Sequence, residues 1–393
     1  METKFFYIKK DEISRIKALQ NYIKKLESIS PLTQTQLFVV KDNKLSIYGY
    51  GNGSLGSGHI KASFDLDDSK TNDEFYFSYS INDFVKFLEK SKSDTICVSL
   101  KDKTELVIKG EDTKSVFSQT VLATIDSEVD EITNAISNYE DSDKFKNSKD
   151  IDIYNSKDQI QAAASLLSLL NTNKFIKISN GNIRAVDDCS IIDLATDIEE
   201  EASILKTVAG LLDNTNEFKY YEDEDSNSWI YIDIDTYGIK LYFVQEPISY
   251  QCPTDEELKD MSPKENFISV EVKSEDLFNA FEEFKDVFSN EAWQYKQIKM
   301  TTSVSDKKFK MHFDDMVTSI DTELPFNIIE NTESENEFSM MLPFIELNVL
   351  EKMLQESDTL TLKYSSNPDS CVVNISCEDN EYLNNVIITK LQV

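Results

Sequence analysis

The sequence predicts an α+β protein built from three copies of one helix-and-strand unit, and three observations lead there. Amphipathic helical stretches and short strand-like runs alternate as helix, strands, helix, strands, and this order begins at Asp11, at Lys157 and again at Ser274. At 393 residues the chain exceeds one ordinary core and divides into about three units. A short echo links the ends: SDTICVSL from Ser93 and SDTLTLKY from Ser357 each follow a second helix and lead the same turn into the same kind of strand.

In the first unit, residues 11–27 place Ile13, Ile16, Leu19, Ile23 and Leu26 along one helical face. The runs QLFVV, KLSIYGY, HIKASFDL and EFYFSY read as strands, INDFVKFLEKSK as a second helix, and TICVSL, ELVIKG and SVFSQTVL as closing strands. The second unit follows the same order. KDQIQAAASLLSLL and EEASILKTVAGLLD are its helices, and KFIKI, NIRAV, SIIDLA, WIYIDID and IKLYFV its strands. In the third, SEDLFNAFEEFKDVF and PFIELNVLEKML are helices, with KQIKMTTSV, KKFKMHF, TSIDTELPF, LTLKY, CVVNIS and NNVIITKLQV as strands. An acidic stretch from Asp126 and a segment carrying Pro247, Pro253 and Pro263 read as linkers, because dense charge and proline discourage continuous helix or strand. The expected domains are therefore 1–125, 151–246 and 266–393, joined by linkers 126–150 and 247–265.

Composition bounds the rest. With 40% hydrophobic residues the chain can fill several cores. Five scattered cysteines without a C-x-x-C pair argue against a disulfide framework or a zinc cluster, and point to reduced cytosol. The N-terminal METKFFYIKKDEISR lacks the apolar run of a signal peptide, and no segment approaches the roughly 20 apolar residues of a membrane span, so a cytoplasmic protein is expected. A net charge of −32 argues against a generally basic nucleic-acid surface, although an acidic exterior around a local basic face remains compatible with DNA.

Catalytic signals are weak, and no catalytic, metal or cofactor site is expected. The two histidines, His59 and His312, each lie in a strand-like run with no nucleophile arranged around them and read as cross-strand residues. GYGNGSLGSG gathers five of the nine glycines but lacks the Gly-Lys-Ser/Thr ending and a following helix, so it reads as a strand connection and not a phosphate loop. YYEDEDSNSW offers Asp223, Asp225 and Asn227 at calcium-loop spacing. Ser228 stands where the loop needs glycine and Ile234 where it needs glutamate, so a solvated hairpin is expected. The informative charges are Lys10, Lys17 and Lys24, seven apart and opposite the first helix's apolar stripe, and Lys86 and Lys90, pointing away from Phe84, Phe87 and Leu88.

With TKFFYIKKDEISRIKALQNYI, NDFVKFLEKSKSDTICVSL and the C-terminal FSMMLPFIELNVLEKMLQESDTLTLKYSSNPDSCVVNIS and NNVIITKLQV, nearly the whole chain resembles the three-domain bacterial-type DNA sliding clamps, in a divergent, phage-encoded form. The resemblance implies a DNA-clamp fold with two βαβββ modules per domain, sheets outside and helices lining a channel. It implies no catalysis or cofactor. It also implies a homodimeric ring around double-stranded DNA, partnered by a DNA polymerase and a clamp loader in the host cytoplasm, with Lys10, Lys17, Lys24, Lys25, Lys86 and Lys90 facing DNA. The family's partner-peptide pocket would map to Tyr250 and Pro253 of the linker and to Ile387, Ile388, Thr389, Leu391 and Val393 of the tail. One departure is the third unit's first helix, where Glu275, Asp276, Glu282, Glu283 and Asp286 outnumber Lys285. The other is the short middle domain, which matches least well and leaves the ring's stoichiometry open. Two other readings compete: a β-rich viral assembly module, which has no use for aligned helix lysines, and a carboxylate-metal nuclease, which needs clustered acids at strand ends.

Overall fold

The computed structural model describes residues 3–26, 35–53, 56–70, 72–111, 116–121, 124, 126–157, 160–161, 163, 175–186, 190–212, 215–247, 252–287, 297–314, 319–343, 357–367, 372–377 and 385–389. The chain opens with β1 (Thr3–Lys9), α1 (Glu12–Leu26), β2 (Gln36–Lys41), β3 (Lys44–Gly53) and β4 (Gly56–Asp65). The pattern repeats as β5 (Phe75–Tyr79), α2 (Ile81–Lys90), β6 (Thr95–Lys101), β7 (Glu105–Gly110) and β8 (Val116–Thr120). Helices α3 (Asp126–Asp141) and α4 (Asp143–Lys146) lead to β9 (Lys149–Asp150), β10 (Phe175–Ser179), β11 (Asn182–Val186) and β12 (Ser190–Ala195). Next come β13 (Ala202–Leu205), α5 (Lys206–Ala209), β14 (Glu217–Glu222), β15 (Ser228–Ile234), β16 (Ile239–Gln245) and α6 (Asp255–Met261). The last third holds β17 (Phe267–Lys273), α7 (Ser274–Val287), β18 (Gln297–Ser303), β19 (Lys308–Asp314), β20 (Ser319–Pro325) and β21 (Asn327–Asn331), then β22 (Glu337–Pro343), β23 (Thr359–Ser365), β24 (Val372–Ser376) and β25 (Asn385–Thr389).

Strand pairing reveals one module used six times: three consecutive antiparallel strands, extended by the opening strand of another module. The six sets are β5-β2-β3-β4, β1-β6-β7-β8, β13-β10-β11-β12, β9-β14-β15-β16, β22-β18-β19-β20 and β17-β23-β24-β25. In four of the six triplets the third strand joins two sets. Thus β4 pairs with β16 to make an eight-stranded sheet, and β12 pairs with β25 to make a nine-stranded one to which β21 adds an edge. This is the α+β architecture expected, and among the described residues four of the triplets, β2–β4, β6–β8, β14–β16 and β18–β20, follow a strand and a helix (α1, α2, α5 and α7).

The chain divides into two compact units, one of residues 1–154 with 207–248, the other of residues 155–206 with 249–393. Residues 151–246, read as one domain, thus contribute to both. In the first unit, alternation places Phe6 and Ile8 of β1, Phe38 of β2, Ile47 of β3 and Phe64 of β4 in the core with Ile16, Leu19 and Ile23 of α1 and Phe84 and Leu88 of α2. The Phe38 ring stacks on Phe77 at 4.8 Å and meets Phe84 edge-on at 4.9 Å. Each such side chain contributes roughly 1.5–3 kcal/mol by leaving water. Arg15 ties α1 to the β4–β16 joint: its guanidinium binds Glu12 at 2.8 Å, donates to the Ser63 and Tyr237 carbonyls, and lies over Phe64. In the second unit, fully buried Tyr364 of β23 reaches the other sheet, bonding Thr302 at 3.0 Å and lying 5.7 Å from the Phe338 ring.

Four local readings are corrected. The acidic stretch from Asp126 is not irregular: Val129, Ile132, Ile136 and Tyr139 recur every three or four residues, and α3 buries Ile136 and Tyr139 against Tyr231 and Tyr242. The proline-bearing segment forms α6, started by a capping box between Thr254 and Glu257. Ala202–Leu205 is a strand, with the helix confined to Lys206–Ala209, because β13 pairs along β10 from Phe175↔Leu205 to Ile178↔Ala202. Lys10 lies in the turn before α1, its N–H donating to the Asp94 carbonyl at 2.9 Å, and so is not a helix residue. The helices read at KDQIQAAASLLSLL and PFIELNVLEKML fall mostly or wholly outside the described residues. The glycine-rich run is the β3–β4 hairpin, with Gly51 opposite Gly58, and the acidic run from Tyr220 is the β14–β15 hairpin. Among the described residues no helix is long and apolar enough to cross a membrane.

Candidate nucleic-acid face and partner-binding site

Helices α1 and α2 lie side by side on the eight-stranded sheet. Lys17 of α1 pairs with Glu89 of α2 at 2.6 Å, and Gln20 bonds Asn82 at 2.7 Å, so the helices run in opposite senses. The apolar stripe of α1 buries Ile16, Leu19, Ile23 and Leu26, which turns Lys17, Lys24 and Lys25 outward. On α2, Phe84, Val85 and Leu88 are buried and Lys86 and Lys90 exposed. Phe87 departs from the expected stripe: it is half-buried and stacks on Phe117 of β8 at 5.1 Å. Not all six lysines are equivalent. Lys25 donates to the Gly210 carbonyl at 2.7 Å, and Lys90 sits 5.9 Å over the Phe117 ring. The exposed Lys17–Glu89 pair is worth about 0–1 kcal/mol, so a phosphate can take the ammonium at little cost. On α7 the acidic bias holds. Glu275, Glu282 and Glu283 are exposed, Glu283 bonding Thr322 at 2.9 Å, whereas the side chains of Lys285 and Asp286 lie outside the described residues.

The second candidate lies where α6 meets the nine-stranded sheet. Strand β25 inserts between β12 and β24, with Ile387 opposite Ile191 and Asn374, Ile388 opposite Ser190 and Val373, and Thr389 opposite Val372. The backbone of these three tail residues therefore completes the sheet. Their side chains, and all of Tyr250, Leu391 and Val393, are outside the described residues. The Pro253 carbonyl accepts from Arg184 Nη1 at 3.1 Å. The same guanidinium, with a side chain 10% exposed, donates to Asp193 at 2.9 Å and to Asp255 at the first turn of α6. Arg184 thereby holds the Asp255 carboxyl below its ordinary range, whereas burial raises that of Asp193 against the pull of the same arginine. Leu258 of α6 packs with Val372 and Ile191. Beside this helix opens a cavity of about 280 Å³ between Arg184, Asp255, Ser262 and Asn374. The sequence reading missed this network. Its one legible trace was the T-x-x-E capping box at Thr254.

His312 contacts Asp321 at 3.0 Å across β19–β20. In the β14–β15 hairpin, Asp223 accepts from the Asp225 and Asn227 amides and pairs with Lys144 at 2.8 Å, which makes its carboxylate a turn anchor.

No family model and no curated protein matches this sequence. Solved structures do. A DNA polymerase sliding clamp from Pseudomonas aeruginosa is 12% identical and superposes with a TM-score of 0.68, covering 99% of this chain and 100% of its own. The DNA polymerase III subunit beta of Borrelia burgdorferi, in complex with a natural product, is 14% identical with a TM-score of 0.68 and the same coverage. The DNA polymerase III beta subunit of Thermotoga maritima is 14% identical, with a TM-score of 0.64 and full coverage of both chains. Six strand sets of one pattern, joined at β4–β16 and β12–β25, together with these full-length superpositions, establish that the chain has the fold of the bacterial-type DNA polymerase sliding clamps.

Proposed function

We propose that the protein is a non-catalytic DNA sliding clamp: two copies close head to tail around duplex DNA and tether a DNA polymerase delivered by a clamp loader. The observation that carries this reading is the pattern of joints. Four of the six third strands are consumed in β4–β16 and β12–β25. The two left over, β8 and β20, are edge strands, and β8 exposes Val116 at 53%. An unpaired edge is a template for another chain. Pairing β8 of one copy with β20 of the next would repeat the eight-stranded joint and, with two copies, close a ring. Lys17, Lys24 and Lys86, with Lys10, Lys25 and Lys90 at the margins, supply weak phosphate contacts. The acidic α7 contributes least.

Partner capture is proposed, in the cytoplasm, at the pocket that the family resemblance maps to Tyr250, Pro253, Ile387, Ile388, Thr389, Leu391 and Val393. Burying one or two apolar side chains of a peptide there would contribute roughly 1.5–3 kcal/mol each, which suits exchange between polymerase and loader. Light scattering tests ring closure: the expected mass is twice 45.1 kDa, and a single-chain mass at micromolar concentration overturns it. Deleting residues 391–393 tests capture. Lost polymerase stimulation with an unchanged mass supports the pocket, and full stimulation removes it.

A further inference from the structure

Helix α3 covers the face of the eight-stranded sheet opposite α1 and α2, but unevenly. Its C-terminal half is seated, with Ile136 and Tyr139 in an aromatic cluster. Its N-terminal half stands over a half-open cavity of about 890 Å³. Leu37 of β2, Ile132 and Ala135 of α3 and Val244 of β16 give this space an apolar floor and wall. Tyr48 and Tyr50 of β3 and His59 of β4 add aromatic faces, the Tyr50 and His59 rings lying 4.8 Å apart. The rim is acidic: Glu128 and Glu131, three apart on α3, and Glu246 after β16 are all exposed at its mouth, and no lysine or arginine is among its described lining residues.

We propose that this cavity receives a short peptide segment of a partner protein carrying a lysine or arginine beside an apolar side chain. Three carboxylates around an apolar, aromatic floor match a cationic head on an apolar stem. This sheet face already attracts cations within the chain: Lys61 lies 5.9 Å over Tyr48, and Lys144 lies 4.3 Å over Trp229. Burial pushes His59 down to about 4, so at neutral pH its ring adds no opposing charge. Its Nδ1 is buried without a hydrogen-bond partner. The volume lies in the upper part of the roughly 300–1,000 Å³ range of ligand sites, and a free diamine would leave the apolar floor uncovered. The inference rests on the cavity and not on the ring reading.

The test is selection of random displayed hexapeptides against the full-length protein, with affinities of the enriched peptides measured by fluorescence anisotropy. Enriched sequences should pair Lys or Arg with an apolar residue and bind at one site. Binding should weaken at least tenfold in Ala135→Trp, which fills the cavity, and in Glu131→Lys with Glu246→Lys, which reverses its rim. Both variants are checked by circular dichroism, and the surface charge variant remains the readout if Ala135→Trp does not fold. No enrichment, peptides without basic residues, peptides indifferent to the variants, or spermidine competing at the peptide's own affinity would each overturn the proposal.

Discussion

Replacing Tyr139 with alanine should loosen α3 from the sheet and destabilise the first compact unit by about 3–5 kcal/mol, the usual cost of truncating a buried aromatic. The side chain is 7% exposed. Its ring lies 5.1 Å from Trp229, 5.3 Å from Tyr242 and 5.9 Å from Phe145. Its hydroxyl points at the Ile230 and Phe243 carbonyls at 3.0 and 3.3 Å, a paired position of β15 and β16. Burial raises the phenol far above its ordinary range, so the group stays a neutral donor. Tyr139→Phe keeps the ring and loses only the hydroxyl, worth about 0.5–1.5 kcal/mol. Urea titration followed by tryptophan emission, together with amide hydrogen exchange, provides the assay. Tyr139→Ala should shift the midpoint of the transition that reports Trp229, and α3 amides should exchange faster while those of α7 do not change. A loss under about 1 kcal/mol with α3 protection intact would refute the packing argument.

Three further outcomes follow from named contacts. Gly238→Ala should cost about 1–3 kcal/mol, since this residue sits at φ +63° and a Cβ would stand 2.6 Å from Arg15 Nη2; an unchanged urea midpoint contradicts it. Asp223→Asn should cost about 1.5–3 kcal/mol at neutral pH. Its hydrogen bonds, the one from Lys144 above all, hold the folded carboxyl well below its ordinary value, so this stability is complete above pH ~3.9 and lost as pH falls further. The stability curves of the wild type and of the Asp223→Asn variant should therefore converge in acid. Arg184→Ala should speed amide exchange from Thr254 to Ser262, because it removes the donor to the Pro253 carbonyl and strands Asp193; unaltered exchange means α6 is held without the arginine.

The repeat architecture was legible where strands alternate cleanly, as in β3, β4, β6, β18 and β19, where hydrophobic period and turn residues agree. The opening strands were harder. Thr3–Lys9 alternates, with Phe6 and Ile8 inward, but its partner β6 lies some ninety residues on, and only that pairing distinguishes it from a leading coil. Ala202–Leu205 merges into helix-favouring KTVA, so local propensity masked a strand fixed by β10. Charge density hid α3, although its 3.6-residue stripe from Val129 to Tyr139 outweighs the acids, which simply face solvent. Of the candidate sites, the outward lysines of α1 and α2 followed directly from the apolar stripe. The Arg184 network did not, because it joins Asp193 and Asp255 from separate elements and depends on tertiary approach.

Topological retention tests the central claim most directly. The labelled protein is loaded by its clamp loader onto a nicked circular plasmid, separated from free protein by gel filtration, and challenged by linearising the DNA with a restriction enzyme. A closed ring stays on the circle through high salt and runs off the cut ends, and the triple variant Lys17→Glu, Lys24→Glu, Lys86→Glu loads less while its stability stays within about 0.5 kcal/mol. Protein that remains bound after linearisation, or that salt strips from the intact circle, would contradict the clamp.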